Sequence, residues 1–184
     1  MLASIGQFNL IVALVLALLL AIVPMVAYAK DNATWMQIAK PLAYVQFFLV
    51  LSSFVILIAL FVLQDFTVTY VWKHSSLTLP LRYRITATWG AHEGSILMWI
   101  TIQTLWVAAV AKFSKGLKLD QIARVLSILG IITAGFIAFI LFTSNPFERT
   151  FPAPFDGHDL NPLLQDFGMI VPPPLLYFGY VGVS

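Results

Sequence analysis

The sequence predicts an all-α membrane protein: a polytopic transmembrane helix bundle with four full membrane helices, a truncated fifth helix and two long extracytoplasmic loops. Of its 184 residues, 60% are hydrophobic and only 10% are charged, with a mean hydropathy of +0.93. A soluble domain contains about 25% charged residues. In addition, four uncharged apolar runs each approach the roughly 20 residues that a helix needs to cross a bilayer. Residues 1–184 are therefore expected to form a single membrane domain.

The predicted helices follow from the positions of these runs, because a helix satisfies its backbone hydrogen bonds internally and can therefore cross a bilayer. The four full helices are predicted at about residues 5–29, 42–63, 91–111 and 122–144. Pro24 lies inside the first run and is expected to kink that helix near its inner end. A fifth helix is predicted at residues 173–184, about a dozen residues and too few to span. The chain is therefore expected to be the N-terminal fragment of a longer protein.

Basic residues indicate the orientation of these helices. The short loops after the first and third helices, together with the start of the fourth helix, contain Lys30, Lys40, Lys112, Lys115, Lys118 and Arg124. The two long loops, at about residues 64–91 and 145–171, contain Lys73, Arg82, Arg84 and Arg149. Since lysine and arginine accumulate on the cytoplasmic side, the N-terminus and both long loops are predicted to lie outside.

Composition excludes or disfavours several classes of function. The chain has no cysteine, so it has no disulfide and no thiolate metal site. Its net charge is only +2 and its basic residues are dispersed, so the sequence does not indicate nucleic-acid binding. The first apolar run lacks the basic start and the cleavage site of a signal peptide, so it is predicted to be a retained helix. An ion or solute transporter is disfavoured because no charge lies mid-membrane and polar residues there are few.

The first candidate site is the segment from Trp89 to Ser95, at the outer mouth of the third predicted helix. Its His92 and Glu93 lie at or just within the membrane, where ionisable side chains are costly and indicate function. Histidine could ligate a metal or shuttle a proton, and the glutamate gains from the helix dipole. The alternative is that both residues anchor a helix end at the headgroups, with Trp89 and Trp99 as interfacial aromatics.

The long loop at residues 145–171 is the second candidate. Asp156, His158 and Asp159 could together hold a hard cation. The favoured interpretation is that they form turns in a loop stiffened by proline. The prolines at 172–174 are interpreted as the extended start and first turn of a helix. His74 is interpreted as a solvated surface residue, and the aromatic residues of the runs as membrane packing.

Several of these segments, in order, resemble the CcmF-type cytochrome c haem lyases and their nitrite-reductase-associated relatives. The match covers almost the whole chain. It comprises the segment from Asp65 to Val71, the run Trp-Gly-Ala-His-Glu-Gly-Ser at 89–95, Phe-Thr-Ser-Asn-Pro-Phe at 142–147, Asp-Leu-Asn-Pro-Leu-Leu-Gln at 159–165, and Pro-Pro-Leu-Leu-Tyr with Gly-Tyr-Val-Gly at 173–182.

The resemblance implies a bacterial inner-membrane protein that takes haem from a periplasmic haem chaperone and attaches it to apocytochrome c, alongside other cytochrome maturation membrane subunits. In this family, histidines of flanking outer loops are axial haem ligands, and paired membrane histidines hold a b-type haem. The second axial ligand, the membrane histidines and a tryptophan-rich segment would all follow Ser184. The resemblance makes Trp89, His92 and Glu93 site-shaping residues, with no catalytic residue assigned.

Two positions depart from the family pattern. Pro172 occupies the place of an axial histidine, and proline has no lone pair to offer iron. Phe167 replaces a proline that is usual after the Gln-Asp pair. The leading hypothesis is therefore a haem-handling assembly factor that works with the missing C-terminal part of the lyase and is inactive alone. The alternative is a non-catalytic scaffold subunit of the maturation complex that has lost its axial ligand.

Overall fold

The computed structural model of the chain describes residues 1–183, with the side chains of all of them except Leu163 and Met169. Its α-helices are α1 (Leu2–Ala29), α2 (Ala33–Met36), α3 (Ala39–Leu63), α4 (Thr69–His74), α5 (Leu81–Ala87), α6 (His92–Phe113), α7 (Leu119–Thr143) and α8 (Pro172–Val183). Two short 3-10 helices, Pro162–Leu164 and Phe167–Met169, precede α8. Across residues 1–183, four helical spans are long and apolar enough to cross a membrane: α1, α2 with α3, α6, and α7. This confirms the predicted all-α transmembrane bundle.

The helix ends differ from the predicted ones by a few residues. α3 begins at Ala39, ahead of the predicted start at 42, because Pro41 falls in the first turn, where a missing amide donor costs nothing. α7 begins at Leu119, ahead of 122, because the side chain of Gln121 accepts a hydrogen bond from the Lys118 amide at 3.2 Å and so closes the first turn. α1 continues through Pro24 to Ala29.

Helix α1 lies between α3 and α7, and α6 packs against both α3 and α7 to complete the bundle. The approach of α1 to α7 depends on small residues. A Cβ at Gly130 would lie 2.8 Å from the backbone nitrogen of Ala21 and 3.2 Å from the carbonyl oxygen of Ala17. Small residues at a membrane helix interface allow backbones to pack this closely, since dispersion contacts replace the hydrophobic effect there.

Polar side chains link α1 to α3 within the bundle. Asn9 donates from Nδ2 to the Ser52 hydroxyl at 2.9 Å. The Ser53 hydroxyl, which is fully buried, donates to the carbonyl oxygen of Gly6 at 3.0 Å. These hydrogen bonds satisfy groups that would otherwise be unpaired in an apolar interior, and they fix the relative position of the two helices.

The two long connecting segments, residues 64–91 and 145–171, fold together at one end of the bundle, and we call them the loop cap. The Thr150 amide donates to the carbonyl oxygen of Thr67 at 3.0 Å, beside an isolated bridge between Val68 and Arg149. The Arg149 guanidinium donates to the Ser4 hydroxyl at 3.0 Å, so the N-terminus of α1 lies at the same end. The first segment, predicted as a loop, contains α4 and α5, which have too few turns to show a helical pattern in the sequence.

Candidate functional site

The segment from Trp89 to Ser95 joins α5 to α6 at the loop-cap end of the bundle. Ala91 is the N-cap residue, with an extended backbone (φ −139°), and α6 begins at His92. Alanine has no side-chain oxygen to cap the helix. Ser95 instead ties the turn together, donating its hydroxyl to the Trp89 carbonyl at 2.8 Å and its amide to the Ala91 carbonyl at 3.0 Å. The three predicted site residues, Trp89, His92 and Glu93, therefore lie together at the mouth of a membrane helix.

Gly94 allows the first turn of α6 to press against the backbone that precedes it. A Cβ at this position would overlap the carbonyl oxygen of Thr88 and lie 2.6 Å from the Tyr70 hydroxyl. The Tyr70 hydroxyl donates to that same Thr88 oxygen at 3.0 Å, and its side chain is 2% exposed. Only glycine fits between these groups, so Gly94 and Tyr70 together set the position of the turn.

Tyr70, which sequence analysis did not identify, is a buried and neutral hydrogen-bond donor. Burial raises the pKa of its hydroxyl well above the usual range, and the negative charge of Glu93 raises it further. Hydrogen bonds from the backbone amides of Ala91 and Gly94 act in the opposite direction. A phenol is protonated at neutral pH even at its usual pKa of about 10, and the raised pKa extends this range upward, so Tyr70 retains the proton that it donates to Thr88.

His92 lies exposed at the rim between α6 and α7. Its Nδ1 is 3.1 Å from the Ser144 hydroxyl, at the end of α7, and its ring meets Phe139 edge-on with centroids 6.0 Å apart. Within the described part of the chain, its Nε2 makes no hydrogen bond. When Nδ1 carries the proton and donates it to Ser144, Nε2 has its lone pair available for a metal or a proton.

Glu93 belongs to a different face of α6. It is half-buried in the first turn, where the partial positive charge of the helix N-terminus stabilises a carboxylate. Consecutive residues of a helix do not face each other, so His92 contacts α7, whereas the charge of Glu93 acts on Tyr70. The sequence grouped the two residues as one site, and the structure places them in the same turn but in separate surroundings.

A cleft of about 320 Å³ opens beside the His92 ring. It is lined by His92, Ser95, Ile96, Trp99, Phe136 and Tyr177. The other three lining residues from α6 follow His92 by three, four and seven residues, which is the spacing of one helix face. Sequence analysis treated Trp99 as an interfacial anchor and Phe136 as membrane packing, although this spacing could have connected Trp99 with His92.

Helix α8 closes the cleft from one side. The Trp99 ring packs on Tyr177 and Tyr180, with centroid distances of 5.5 and 5.6 Å. Further along α6, Trp106 donates from Nε1 to the Phe178 carbonyl at 3.3 Å. These contacts hold α8 against α6 although most of its large apolar side chains are exposed, including Leu175, Leu176 and Tyr180.

Pro172 is the first residue of α8 and is exposed. Proline is well suited to this position, because its fixed φ matches the helix and its missing amide donor is not needed in the first turn. Its side chain offers no donor atom for a metal. In the structure Pro172 therefore serves as a helix start.

Asp156, His158 and Asp159 fold the loop cap. The Asp156 carboxylate accepts from the Leu77 amide at 2.9 Å, and the Asp159 carboxylate accepts from the Ser76 hydroxyl at 3.0 Å. The His158 ring packs on an indole of α4, that of Trp72, at 4.6 Å. Residues 1–183 contain no group of three or more acidic or histidine side chains that could hold a metal ion. These contacts agree with the turn-forming interpretation.

His74, interpreted from the sequence as a solvated surface residue, is half-buried, so that interpretation is wrong. Its Nδ1 lies 3.0 Å from the Tyr70 carbonyl oxygen, one helical turn earlier, and the two rings are 4.9 Å apart. The six-residue helix α4 brings the two side chains together, and that helix was not predicted.

The chain is similar in sequence to known proteins. The family described as "Cytochrome C assembly protein" matches residues 89–184. The cytochrome c-type biogenesis protein CcmF of Escherichia coli is 51% identical over 185 residues, covering 100% of this chain and 29% of that protein. The cytochrome c-type biogenesis protein NrfE of Haemophilus influenzae is 47% identical over 184 residues, again covering 100% of this chain and 29% of the relative.

A solved structure has the same fold. The structure titled "Cytochrome c Heme Lyase CcmF" superimposes with a TM-score of 0.86 and 27% sequence identity, covering 100% of this chain and 28% of that one. The chain thus spans less than a third of the length of these relatives.

Proposed function

Because this chain belongs to the cytochrome C assembly protein family, we propose that it forms the N-terminal membrane part of a haem lyase that ligates haem to apocytochrome c. The haem would come from a periplasmic haem chaperone. The rest of the lyase and other cytochrome maturation membrane subunits would complete the assembly. The observation that carries the proposal is that all of this chain superimposes on part of a haem lyase structure. In addition, His92 lies at the mouth of a membrane helix.

The proposed location is the bacterial inner membrane, with the loop cap in the periplasm. Two observations support this orientation. The N-terminus and both long segments lie at one end of the bundle, where haem attachment would occur. Six of the ten basic residues belong to the opposite end, as expected for the cytoplasmic side.

Haem is the proposed substrate, and the site beside His92 fits part of it. Aromatic walls formed by Trp99, Phe136 and Tyr177 suit the apolar face of a porphyrin. At about 320 Å³ the cleft is at the small end of ligand sites, so it would receive one edge of the macrocycle and leave the rest to other elements. The free Nε2 of His92 could contact the substrate at the rim.

The proposed roles of the three motif residues differ. His92 would face the substrate, held in its orientation by Ser144. Glu93 would stabilise the first turn of α6 and keep a negative charge near the site. Trp89, which is half-buried, would anchor the turn through the hydrogen bond that its carbonyl accepts from Ser95. We propose all three as residues that shape the site, and none as a residue of the covalent chemistry.

Pro172 supports a second candidate function, a scaffold subunit of the maturation complex that does not transfer haem. A histidine could bind iron at the start of α8, whereas proline cannot. The intact motif at 89–95 favours the lyase instead. The two candidates predict different behaviour when a ligand is supplied at this position.

A hybrid protein can separate them. The aligned 185-residue segment of the Escherichia coli relative would be replaced by this chain, with either Pro172 or the Pro172→His substitution. The lyase proposal predicts that Pro172→His increases haem absorbance of the purified hybrid and the yield of mature cytochrome c. Pro173→His, one residue further on, is the matched control and should change neither. If Pro172→His leaves both readouts unchanged while the hybrids still copurify with maturation subunits, the scaffold is favoured.

A further inference from the structure

We propose that the end of the bundle opposite the loop cap carries a binding site for an anionic glycerophospholipid. The site is a groove of about 350 Å³ between the last turns of α1 and the short helix α2. One wall consists of apolar α1 residues, and the rim consists of polar residues and an indole; the principal residues are Ile22, Val23, Val26, Lys30, Asn32 and Trp35. We call this the α1–α2 groove.

The depth of the groove matches the boundary between acyl chains and headgroups. Ile22 and Val26 are 58% and 46% exposed on a membrane-spanning helix, so they face the hydrocarbon. Lys30 directly follows the last residue of α1 and therefore lies where the chain leaves the membrane. Trp35 is 53% exposed, as expected for an indole in the interfacial belt. An acyl chain along α1 would thus bring its phosphate to the level of Lys30.

The segment from Asp31 to Met36, which borders this groove, is held in place by local contacts. The Asn32 side chain accepts from the Trp35 amide at 3.3 Å and caps the four-residue helix α2. The neighbouring Asp31 has a left-handed backbone conformation (φ 50°), which reverses the chain after α1. Met36, at the end of α2, is buried against Ala27 of α1. These contacts fix α2 against α1, so the groove between the two helices has a defined shape.

Charge favours an anionic headgroup. In the described residues, the only ion pair joins Arg124 to Asp120, at 3.2 Å, so Lys30 has no acidic partner. Lys118 adds a second cation at this end of the bundle, because it precedes Leu119, which packs against the cluster of Ala27 and Met36. Asp31, the acidic residue next to Lys30 in sequence, forms no ion pair with any described residue. Lysine near a membrane surface attracts lipids whose headgroup has a net negative charge, as in phosphatidylglycerol, and not those with a zwitterionic headgroup, as in phosphatidylcholine.

A second groove at the same end provides an internal comparison. It lies between α3 and α6, has a volume of about 320 Å³ and includes Lys112. Its lysine is already engaged, with Nζ 5.7 Å from the centre of the Phe113 ring. It also has no short helix across its rim. We therefore assign the lipid to the α1–α2 groove.

The test is lipid binding to this 184-residue chain, purified in detergent and stripped of lipid. Native mass spectrometry would measure the dissociation constants of phosphatidylglycerol and of phosphatidylcholine with the same acyl chains. Lys30→Gln should weaken phosphatidylglycerol binding about fivefold, the effect of one lysine at a membrane surface, and leave phosphatidylcholine unchanged. Lys112→Gln is the matched control and should change neither value. Both lysines are at the surface, so an unchanged melting temperature would confirm that each variant folds.

Three outcomes would overturn the proposal. The first is equal affinity of the unmodified protein for the two lipids. The second is an equal effect of Lys30→Gln and Lys112→Gln, which would indicate general surface charge and not a site. The third is full competition by glycerol 1-phosphate at the lipid concentration, which would indicate a headgroup site that makes no use of the apolar wall. A selective loss with Lys30→Gln supports the α1–α2 groove.

Discussion

Replacing Gly94 with alanine tests whether the turn at the mouth of α6 depends on close backbone packing. The added methyl group would overlap the carbonyl oxygen of Thr88 and lie 2.6 Å from the Tyr70 hydroxyl. Neither neighbour can move freely: Thr88 belongs to the backbone of the turn, and Tyr70 is 2% exposed. The first turn of α6 must therefore shift away from Thr88, which separates the two partners of the 3.0 Å hydrogen bond.

The magnitude follows from these contacts. Forcing an extra methyl group into a packed site costs about 1–3 kcal/mol. Breaking the hydrogen bond from the buried Tyr70 hydroxyl to the Thr88 carbonyl costs about 1–3 kcal/mol more. Alanine recovers about 0.5–1 kcal/mol over glycine, through the lower entropy of the unfolded chain. Gly94→Ala should therefore lower the free energy of unfolding by about 1–5.5 kcal/mol.

The assay is thermal unfolding of this 184-residue chain in detergent, followed by size-exclusion chromatography of the fraction that remains folded. Gly135→Ala is the matched control, because a Cβ at that position in α7 meets no atom within 4 Å. The control should unfold at the same temperature as the unmodified protein or slightly above it, whereas Gly94→Ala should unfold several degrees lower. Equal midpoints for the two variants would refute the packing argument.

Two further substitutions test neighbouring contacts. Tyr70→Phe keeps the ring and removes the donor to the Thr88 carbonyl, so it should cost about 1–2 kcal/mol in the same unfolding assay. A variant as stable as the unmodified protein would show that this hydrogen bond contributes nothing. Trp99→Ala removes the ring that packs 5.5 Å from Tyr177, at a cost of about 3 kcal/mol. Its effect should be seen as faster amide hydrogen exchange in α8 with little change in α3, and unchanged exchange in α8 would contradict the packing role.

The transmembrane bundle could be predicted from the sequence because the bilayer imposes a composition and a length on each span. The motif at the mouth of α6 could be found for a related reason: an ionisable pair such as His92 and Glu93 is costly beside hydrocarbon. Both signals are local. Neither depends on what the rest of the chain does in three dimensions.

The loop cap could not be predicted in this way, because its contacts join residues far apart in sequence. The Ser76 hydroxyl bonds to Asp159, 83 residues away, and the Leu77 amide bonds to Asp156, 79 residues away. Helix α4 was missed because six residues are too few for a clear helical pattern, and the burial of Tyr70 and His74 was missed with it. The spacing of seven residues between His92 and Trp99 was a usable signal for the cleft.

The central claim is that the rim beside His92 handles haem, and cytochrome c maturation tests it most directly. The hybrid of this chain with the Escherichia coli relative, carrying Pro172→His, would be produced in a strain without its own lyase, and haem covalently attached to a reporter cytochrome c would be measured. The claim predicts that adding His92→Gln greatly reduces attached haem, whereas His158→Gln, which affects a loop-cap histidine packed on Trp72, leaves most of it. Equal maturation with His92→Gln and with His158→Gln would contradict the claim.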